Sequence, residues 1–275
     1  MTKTENTVGI LYQYVFNQAE TSLLENWIEK IIEKGTYDFN GGLLGAGWLV
    51  TYLIQHNYIE GDADEILEDI DDAIYKLTIQ KVLAKETDIS SLLHHITYYQ
   101  QRMQYKSKAP YYRRFVHLEC VKLLLDRLNN TLTETNAINR SEASLFVDII
   151  FKYTYLVNTT INEELLQEAF YPATEDLISY YESQLNIATS IQELAKLYLS
   201  VKQYGNPYWE GRTKRLFDGM VNTENQADAW NRLAYYKEIP TYTDILKETE
   251  ENGGNQEFLF QALTNIAPKK TILQQ

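Results

Sequence analysis

His117 and Cys120 stand three residues apart in a chain of 275 residues, a spacing that puts two side chains on one face of a helix. Imidazole and thiolate groups are ligands of Zn²⁺, and His94 and His95 precede this pair. A zinc site would take its remaining ligands from these two histidines or from a carboxylate. An ordinary buried cysteine on an apolar helix is the simpler interpretation, so we predict no metal and no other cofactor.

Carboxylates are the second kind of side chain that could do chemistry. Two carboxylates on facing helices can hydrolyse a glycosidic bond, and four side chains could form such a pair: Asp148, Glu175, Asp176 and Glu210. A denser acidic run lies in residues 62–72 and could bind Ca²⁺ or a basic peptide. It lacks the ligand spacing of an EF-hand loop. Its Ile and Leu residues recur at helical spacing, so we predict that its carboxylates lie on a solvent-exposed helix face.

Tyrosine, tryptophan and arginine residues are grouped in two segments, 111–114 and 208–212. These residue types carry much of the binding energy at protein interfaces. We therefore predict that a peptide or a partner protein binds to Tyr111, Tyr112, Arg113, Arg114, Tyr208, Trp209 and Arg212. In the alternative interpretation, tyrosines fill the edges between small helices with their hydroxyl groups in water. No catalytic residue is assigned, because the sequence has no Ser-His-Asp set, P-loop or dinucleotide fingerprint.

The chain is acidic, with a formal net charge of −13. Nucleic acids and anionic membranes would be repelled, whereas a neutral or basic peptide would not. Cys120 is the only cysteine, so no disulfide can form within the chain. The sequence shows neither an apolar signal core nor a run of about 20 apolar residues. We therefore expect a cytoplasmic protein that does not span a membrane.

Helices must position these residues, because nearly every segment repeats its apolar residues with helical period. We predict an all-α fold of about 13 or 14 short helices, in a single domain over residues 1–275. One helix is expected to run from Asp62 to Leu77, and Ser141 and Thr174 are expected to cap two later helices. The last three predicted helices cover residues 227–236, 242–249 and 256–265.

Four glycines, Gly41, Gly42, Gly45 and Gly47, fall within seven residues at the start of a predicted buried helix that ends at His56. Glycine inside a helix costs about 0.5–1 kcal/mol relative to alanine, so several together need a reason. We predict that they permit a close approach where any Cβ would clash. Such crowding is expected where the inner helices of a closed α/α toroid converge. An open stack of helical hairpins is the alternative.

The segment Asn40–Trp48, Asn-Gly-Gly-Leu-Leu-Gly-Ala-Gly-Trp, followed by Tyr-Leu-Ile at 52–54 and the acidic run from Gly61 to Ile70, resembles the lanthionine synthetase C-like family. Residues 88–99 resemble a further repeat whose glycines are replaced, and residues 8–12 resemble the remains of a first repeat. The resemblance covers residues 8–125. It implies an α/α toroid from a family of enzymes that close thioether rings in ribosomally made peptides.

The zinc ligands are where the chain departs from this family. The family's cyclases bind zinc through two cysteines and a histidine in the C-terminal half, but this chain has no cysteine after Cys120 and no histidine after His117. Without zinc, nothing would lower the pKa of a substrate thiol. The resemblance therefore implies a non-catalytic protein that binds a peptide or a peptide-modifying enzyme in ribosomal peptide natural-product biosynthesis. The alternatives are a zinc-independent lyase or carbohydrate-active enzyme, and a structural oligomerisation module.

Overall fold

The structure, a computed structural model, describes residues 6–17, 19–84, 88–105, 111–134, 139–156, 163–183 and 191–221. Within these ranges the chain forms eleven helices and no strand, which confirms the all-α prediction. The helices are α1 (Thr7–Asn17), α2 (Thr21–Lys34), α3 (Leu43–Gln55), α4 (Ala63–Ile66), α5 (Glu68–Leu83), α6 (Ile89–Gln104), α7 (Tyr111–Glu134), α8 (Arg140–Leu156), α9 (Glu163–Ser183), α10 (Ile191–Tyr204) and α11 (Pro207–Val221). The three helices predicted beyond residue 226 lie outside the described residues.

Local signals set several helix ends as the sequence predicts. α2 stops at Gly35, whose φ of 61° lets its N–H bond to the carbonyl oxygens of Ile31 and Ile32. α6 begins after Asp88, whose carboxylate accepts a hydrogen bond from the N–H of Ser90 at 3.1 Å. α11 begins with Pro207, a residue that suits the first turn of a helix.

The predicted helix from Asp62 to Leu77 is divided in two. Asp62 caps α4, since its carboxylate accepts from the N–H of Asp64 at 2.9 Å. The chain then reorients at Leu67 (φ −101°, ψ 11°), which is completely buried, and continues as α5. Burial of Leu67 in the core is a tertiary effect that helical periodicity does not report.

Two predicted caps are wrong. Asn139 caps α8, because its side chain accepts from the N–H of Glu142 at 3.1 Å while the Glu142 carboxylate accepts from the N–H of Asn139 at 3.1 Å. Ser141 therefore lies inside the helix. Thr174 also lies inside a helix, because α9 continues through Pro172. Proline removes one helical hydrogen bond, yet α9 is continuous through Pro172, and Phe170 and Leu177 on either side are both buried.

The chain divides into two compact units after Leu124, which lies within α7. In the first unit α3 is the central helix, since α1, α2, α4, α5 and α6 all pack against it. Every residue from Leu43 to Ile54 is consequently buried, as the sequence predicts for this segment. In the second unit α9 and α10 each pack against both α8 and α11. The single domain over residues 1–275 and the toroid both stay predictions.

Candidate functional site

The glycine-rich segment is a point of close approach in the first unit. A Cβ on Gly47 would lie 2.5 Å from Cε2 of Tyr98 in α6, and one on Gly42 would lie 2.5 Å from the backbone nitrogen of Asp38. A Cβ on Gly45 would overlap the carbonyl oxygen of Phe39 and the hydroxyl of Thr7. These neighbours leave no room for a side chain, which confirms the close approach predicted at three of the four glycines.

Gly41 and Thr7 hold this segment in place by hydrogen bonds. The N–H of Gly41 donates to Oδ1 of Asp38 at 2.7 Å. At the start of α1, the Thr7 hydroxyl donates to the carbonyl oxygen of Phe39 at 2.8 Å, and the Thr7 N–H donates to that of Asn40 at 2.8 Å. The segment is therefore fixed against α1 on one side and against α6 on the other.

Tyr98, the residue that packs on Gly47, is hydrogen-bonded into a buried ionic cluster. Its hydroxyl donates to Oδ1 of Asp71 in α5. Nη2 of Arg102, one turn further along α6, lies 2.6 Å from Oδ2 of Asp71 and 2.8 Å from Oδ1 of Asp64. The Arg102 side chain is completely buried, and the two aspartates are only 10% and 8% exposed. The absence of a side chain at Gly47 is what allows Tyr98 to take this position.

α7 contributes two more groups to the cluster. Arg113 donates to the carbonyl oxygen of Asp64, and its Nη2 lies 3.2 Å from Oε1 of Glu68. Nε2 of His117 lies 3.8 Å from Oδ1 of Asp71. Burial lowers the pKa of His117 to about 4, so its imidazole is neutral at pH 7. The ionic cluster thus comprises Asp64, Asp71, Tyr98, Arg102, Arg113 and His117, and it joins four helices.

The two aspartates of the cluster are paired, although Nη1 of Arg102 is buried and has no hydrogen-bond partner among the described residues. Two carboxylates face two guanidinium groups, and both oxygens of Asp71 already accept hydrogen bonds from Tyr98 or Arg102. Buried charges persist when they are paired in this way. A catalytic base would need an accessible lone pair, and the Asp71 side chain is 8% exposed. The arrangement suits the positioning of helices better than proton exchange with a substrate.

The prediction for the acidic run is therefore correct only in part. Glu65, Glu68, Asp69 and Asp72 are exposed, as predicted. Asp64 and Asp71 are buried, so the prediction of a solvent-exposed face is wrong for these two residues. The reason is Arg102, which lies 31 residues from Asp71 in the sequence and brings its charge into the core.

Cys120, one turn after His117 on α7, lies next to the ionic cluster. The hydroxyls of Tyr99 and Thr78 are 2.9 Å apart, and the ring of Tyr99 lies 5.5 Å from that of His117. Cys120 is buried, and burial raises the pKa of its thiol. Among the described residues, no group of three or more His, Cys, Asp and Glu side chains could hold a metal ion.

The predicted binding residues of segment 111–114 have different environments. Tyr112 is 74% exposed and Arg114 is exposed, whereas Arg113 belongs to the ionic cluster. The side chain of Tyr111 lies outside the described part of the structure. Phe115 and Leu123, which the sequence analysis did not single out, are 46% and 39% exposed. We call Tyr112, Phe115 and Leu123 the α7 face.

Trp209 and Arg212 are buried, so the prediction that they contribute exposed binding surface is wrong. Trp209 is 4% exposed, and its Nε1 donates to Oε2 of Glu175 in α9 at 2.8 Å. Arg212 is 8% exposed; it pairs with Glu175 and lies 2.6 Å from Oε2 of Glu182. Glu175 and Glu182, the partners of these two side chains, lie on α9, more than 25 residues away in the sequence. A short sequence segment gives no indication of such distant partners. Tyr208 is 66% exposed, as predicted.

Two of the four carboxylates considered for glycoside hydrolysis, Asp148 and Glu175, are paired with basic side chains. Hydrogen bonds from Arg212 lower the pKa of Glu175 and that of Glu182. A general acid for this reaction needs a raised pKa, so neither glutamate suits that role. Oδ1 of Asp148 lies 2.7 Å from Nζ of Lys196. Asp176 is exposed and Glu210 is half-buried.

Sequence reasoning did not identify Tyr98, Arg102 or Asp71 as a cluster. The one local signal is the i, i+4 spacing of Tyr98 and Arg102, which puts two polar groups on one face of α6. Their partner on α5, Asp71, comes within hydrogen-bonding distance only when the two helices pack together.

No helix in the described ranges is both long and apolar enough to cross a membrane. Comparisons with known proteins give no match: no family model, no curated protein and no solved structure is similar to the chain.

Proposed function

We propose that this chain is a non-catalytic, lanthionine synthetase C-like α/α toroid that binds a peptide or a peptide-modifying enzyme in ribosomal peptide natural-product biosynthesis. A cytoplasmic location belongs to the same proposal. The family assignment rests on the glycine-rich segment and the repeats around it. The observation that carries the binding function is the α7 face.

The α7 face has the character of a contact surface. Tyr112, Phe115 and Leu123 follow one another at helical spacing on a single helix and are 74%, 46% and 39% exposed. Burial of a large apolar side chain contributes about 1.5–3 kcal/mol, so three of them can support an interface. The net charge of −13 favours a neutral or basic partner.

The acid and base groups of the described residues give less support to an enzyme. Asp64 and Asp71 are paired with Arg102, Glu175 and Glu182 are paired with Arg212, and Asp148 is paired with Lys196. Each of these side chains has a partner within the protein, which accounts for its position without a substrate. A binding function requires no further group.

A selection experiment tests the proposal. A displayed library of random peptides is selected against the purified protein, and the dissociation constants of the selected peptides are measured by fluorescence anisotropy. We expect the double variant Tyr112→Ser, Phe115→Ser to raise Kd by about tenfold or more. Tyr75→Ser is the matched control, because Tyr75 is 43% exposed on α5 and lies outside the α7 face. Failure to select any binder, or equal Kd values in all variants, would contradict the proposal.

Self-association is the second candidate function, because an exposed apolar helix face can also pair with a second copy. Light scattering of the purified chain separates the two. A mass twice that of the monomer, which returns to the monomer value in the Tyr112→Ser, Phe115→Ser variant, would assign the α7 face to a homodimer.

A further inference from the structure

Helix α9 is strongly acidic and carries no compensating charge of its own. Its 21 residues include six carboxylate side chains and neither lysine nor arginine. The carboxylates are Glu163, Glu164, Glu168, Glu175, Asp176 and Glu182. Such a helix attracts a positively charged partner, and repels an anionic one, from the side that faces solvent.

Two of these carboxylates are held in place by hydrogen bonds from buried side chains of α11. Oε2 of Glu175 accepts from Nε1 of Trp209 at 2.8 Å, and its Oε1 accepts from Arg212. The two oxygens of Glu182 accept from Nε and Nη2 of Arg212 at 2.9 and 2.6 Å. A carboxylate oxygen has two acceptor positions, so each oxygen keeps one for a further donor. The Glu175 side chain is 44% exposed and that of Glu182 is 36% exposed, so a partner can reach both.

Exposed aromatic rings lie beside the two carboxylates and are themselves held in place. Tyr171 is 42% exposed, and its ring lies 5.2 Å from that of the buried Trp209. Its hydroxyl is hydrogen-bonded to that of Tyr204. Tyr208 is 66% exposed, and the guanidinium of Arg212 lies 5.2 Å from its ring centroid. Groups fixed before binding lose little conformational entropy on binding.

We propose that Tyr171, Glu175, Glu182 and Tyr208 form a docking surface, the α9–α11 surface, for a basic peptide segment whose lysine or arginine side chains bind the two carboxylates. The proposal goes beyond the proposed function, because it adds a second peptide-binding site to the α7 face and names the chemistry of its ligand. Trp209 and Arg212 are positioning residues for this surface. Trp209 and Arg212 are buried, so they would orient the two carboxylates without contacting the peptide.

The spacing of the two carboxylates sets the spacing of the basic residues. Glu175 and Glu182 are seven residues apart, so their Cα atoms are separated by about 10 Å along one face of α9. A peptide in the polyproline II conformation advances about 3.1 Å per residue and has three residues per turn. Two basic residues three positions apart then lie on one face at a spacing that matches the two carboxylates, and the residues between them can contact Tyr171 or Tyr208.

Synthetic peptides test the site directly. A short fluorescein-labelled peptide with Lys-Leu-Tyr-Lys at its centre is titrated with the protein, and its binding is followed by fluorescence anisotropy. We expect the double variant Glu175→Gln, Glu182→Gln to raise Kd by about tenfold or more. The control variant Glu29→Gln, Glu33→Gln removes two exposed carboxylates from α2 and should leave Kd unchanged. A peptide with Lys-Lys at its centre, which removes the spacing, should bind more weakly.

The glutamate variant could also loosen α11, since Arg212 is buried against both side chains. Tyr208→Ser avoids this difficulty, because Tyr208 is largely exposed, and it should also weaken binding of the Lys-Leu-Tyr-Lys peptide. Unchanged Kd values in both variants, or no binding of the basic peptide to the wild type, would overturn this proposal. Peptides selected from the random library would still bind the α7 face in that case, so failure here is distinguishable from failure of the proposed function.

Discussion

Gly45 has no room for even a methyl group at its α-carbon. A Cβ there would overlap the backbone oxygen of Phe39, which cannot move aside as a flexible side chain can. We expect Gly45→Ala to lower the free energy of unfolding by about 1–3 kcal/mol through overpacking. Gly211→Ala is the control, because no atom lies within 4 Å of a Cβ at Gly211 in α11; it should raise stability by about 0.5–1 kcal/mol. Urea unfolding measures both, and an unchanged midpoint for Gly45→Ala would refute the packing explanation.

Lys152 is a buried amine in α8, and its burial has a measurable pH signature. Burial lowers the pKa of its ammonium group to about 7, below the value of about 10.4 in an unfolded chain. The unfolded state therefore binds more protons between these values, and stability should rise as the pH increases from 7 to 10. Urea unfolding between pH 7 and pH 10 measures this slope. Lys152→Met should remove the contribution of Lys152 to it, and an equally steep rise in the variant would show that other groups account for the slope.

At the scale of elements, the start of α8 depends on a reciprocal pair of hydrogen bonds. Asn139 and Glu142 each accept from the other's backbone N–H at 3.1 Å. Asn139→Ala should therefore cost about 1 kcal/mol of stability. Ser141→Ala, at the residue that the sequence predicts as the cap, should change stability by less than about 0.5 kcal/mol. Equal losses for the two variants in thermal unfolding would argue against Asn139 as the cap.

At the scale of the whole molecule, buried histidines determine how the protein responds to acid. Burial lowers the pKa of His95 and that of His117 to about 4, from about 6.5 in an unfolded chain. The folded state favours the neutral form of both histidines. Their contribution to the free energy of unfolding is therefore complete above pH 6.5 and is lost as the pH falls towards 4. Asp71, Arg102, Asp64 and Arg113 surround His117, and the backbone oxygen of Ser91 bonds to Nδ1 of His95 at 2.7 Å.

Unfolding at pH 5 should accordingly take up about two protons from these histidines. The measurement is the free energy of unfolding in urea from pH 8 to pH 4.5. The double variant His95→Gln, His117→Gln should show a flatter decline below pH 6.5 than the wild type. If its decline were as steep as that of the wild type, other groups would account for the acid sensitivity.

Periodicity and single-residue signals determined much of the fold from the sequence alone. The apolar repeat places nearly every described helix, Gly35 ends α2 through its positive φ, and the glycines at 42, 45 and 47 mark a close approach. These features act over one or two helical turns or reflect the absence of a side chain. The residue types in the chain therefore suffice to predict them.

Only the tertiary structure decided which polar residues are buried. Asp71 and Arg102 are 31 residues apart, and Trp209 and Glu175 are 34 residues apart. In the sequence Asp71 belongs to a hydrophilic run, and Trp209 belongs to a segment that is typical of a binding surface. A charged or amphipathic side chain is stable inside a protein when a partner from another element offsets its desolvation. That partner is fixed by helix packing, so local sequence predicts the helices and the packing selects which of their polar groups remain available for binding.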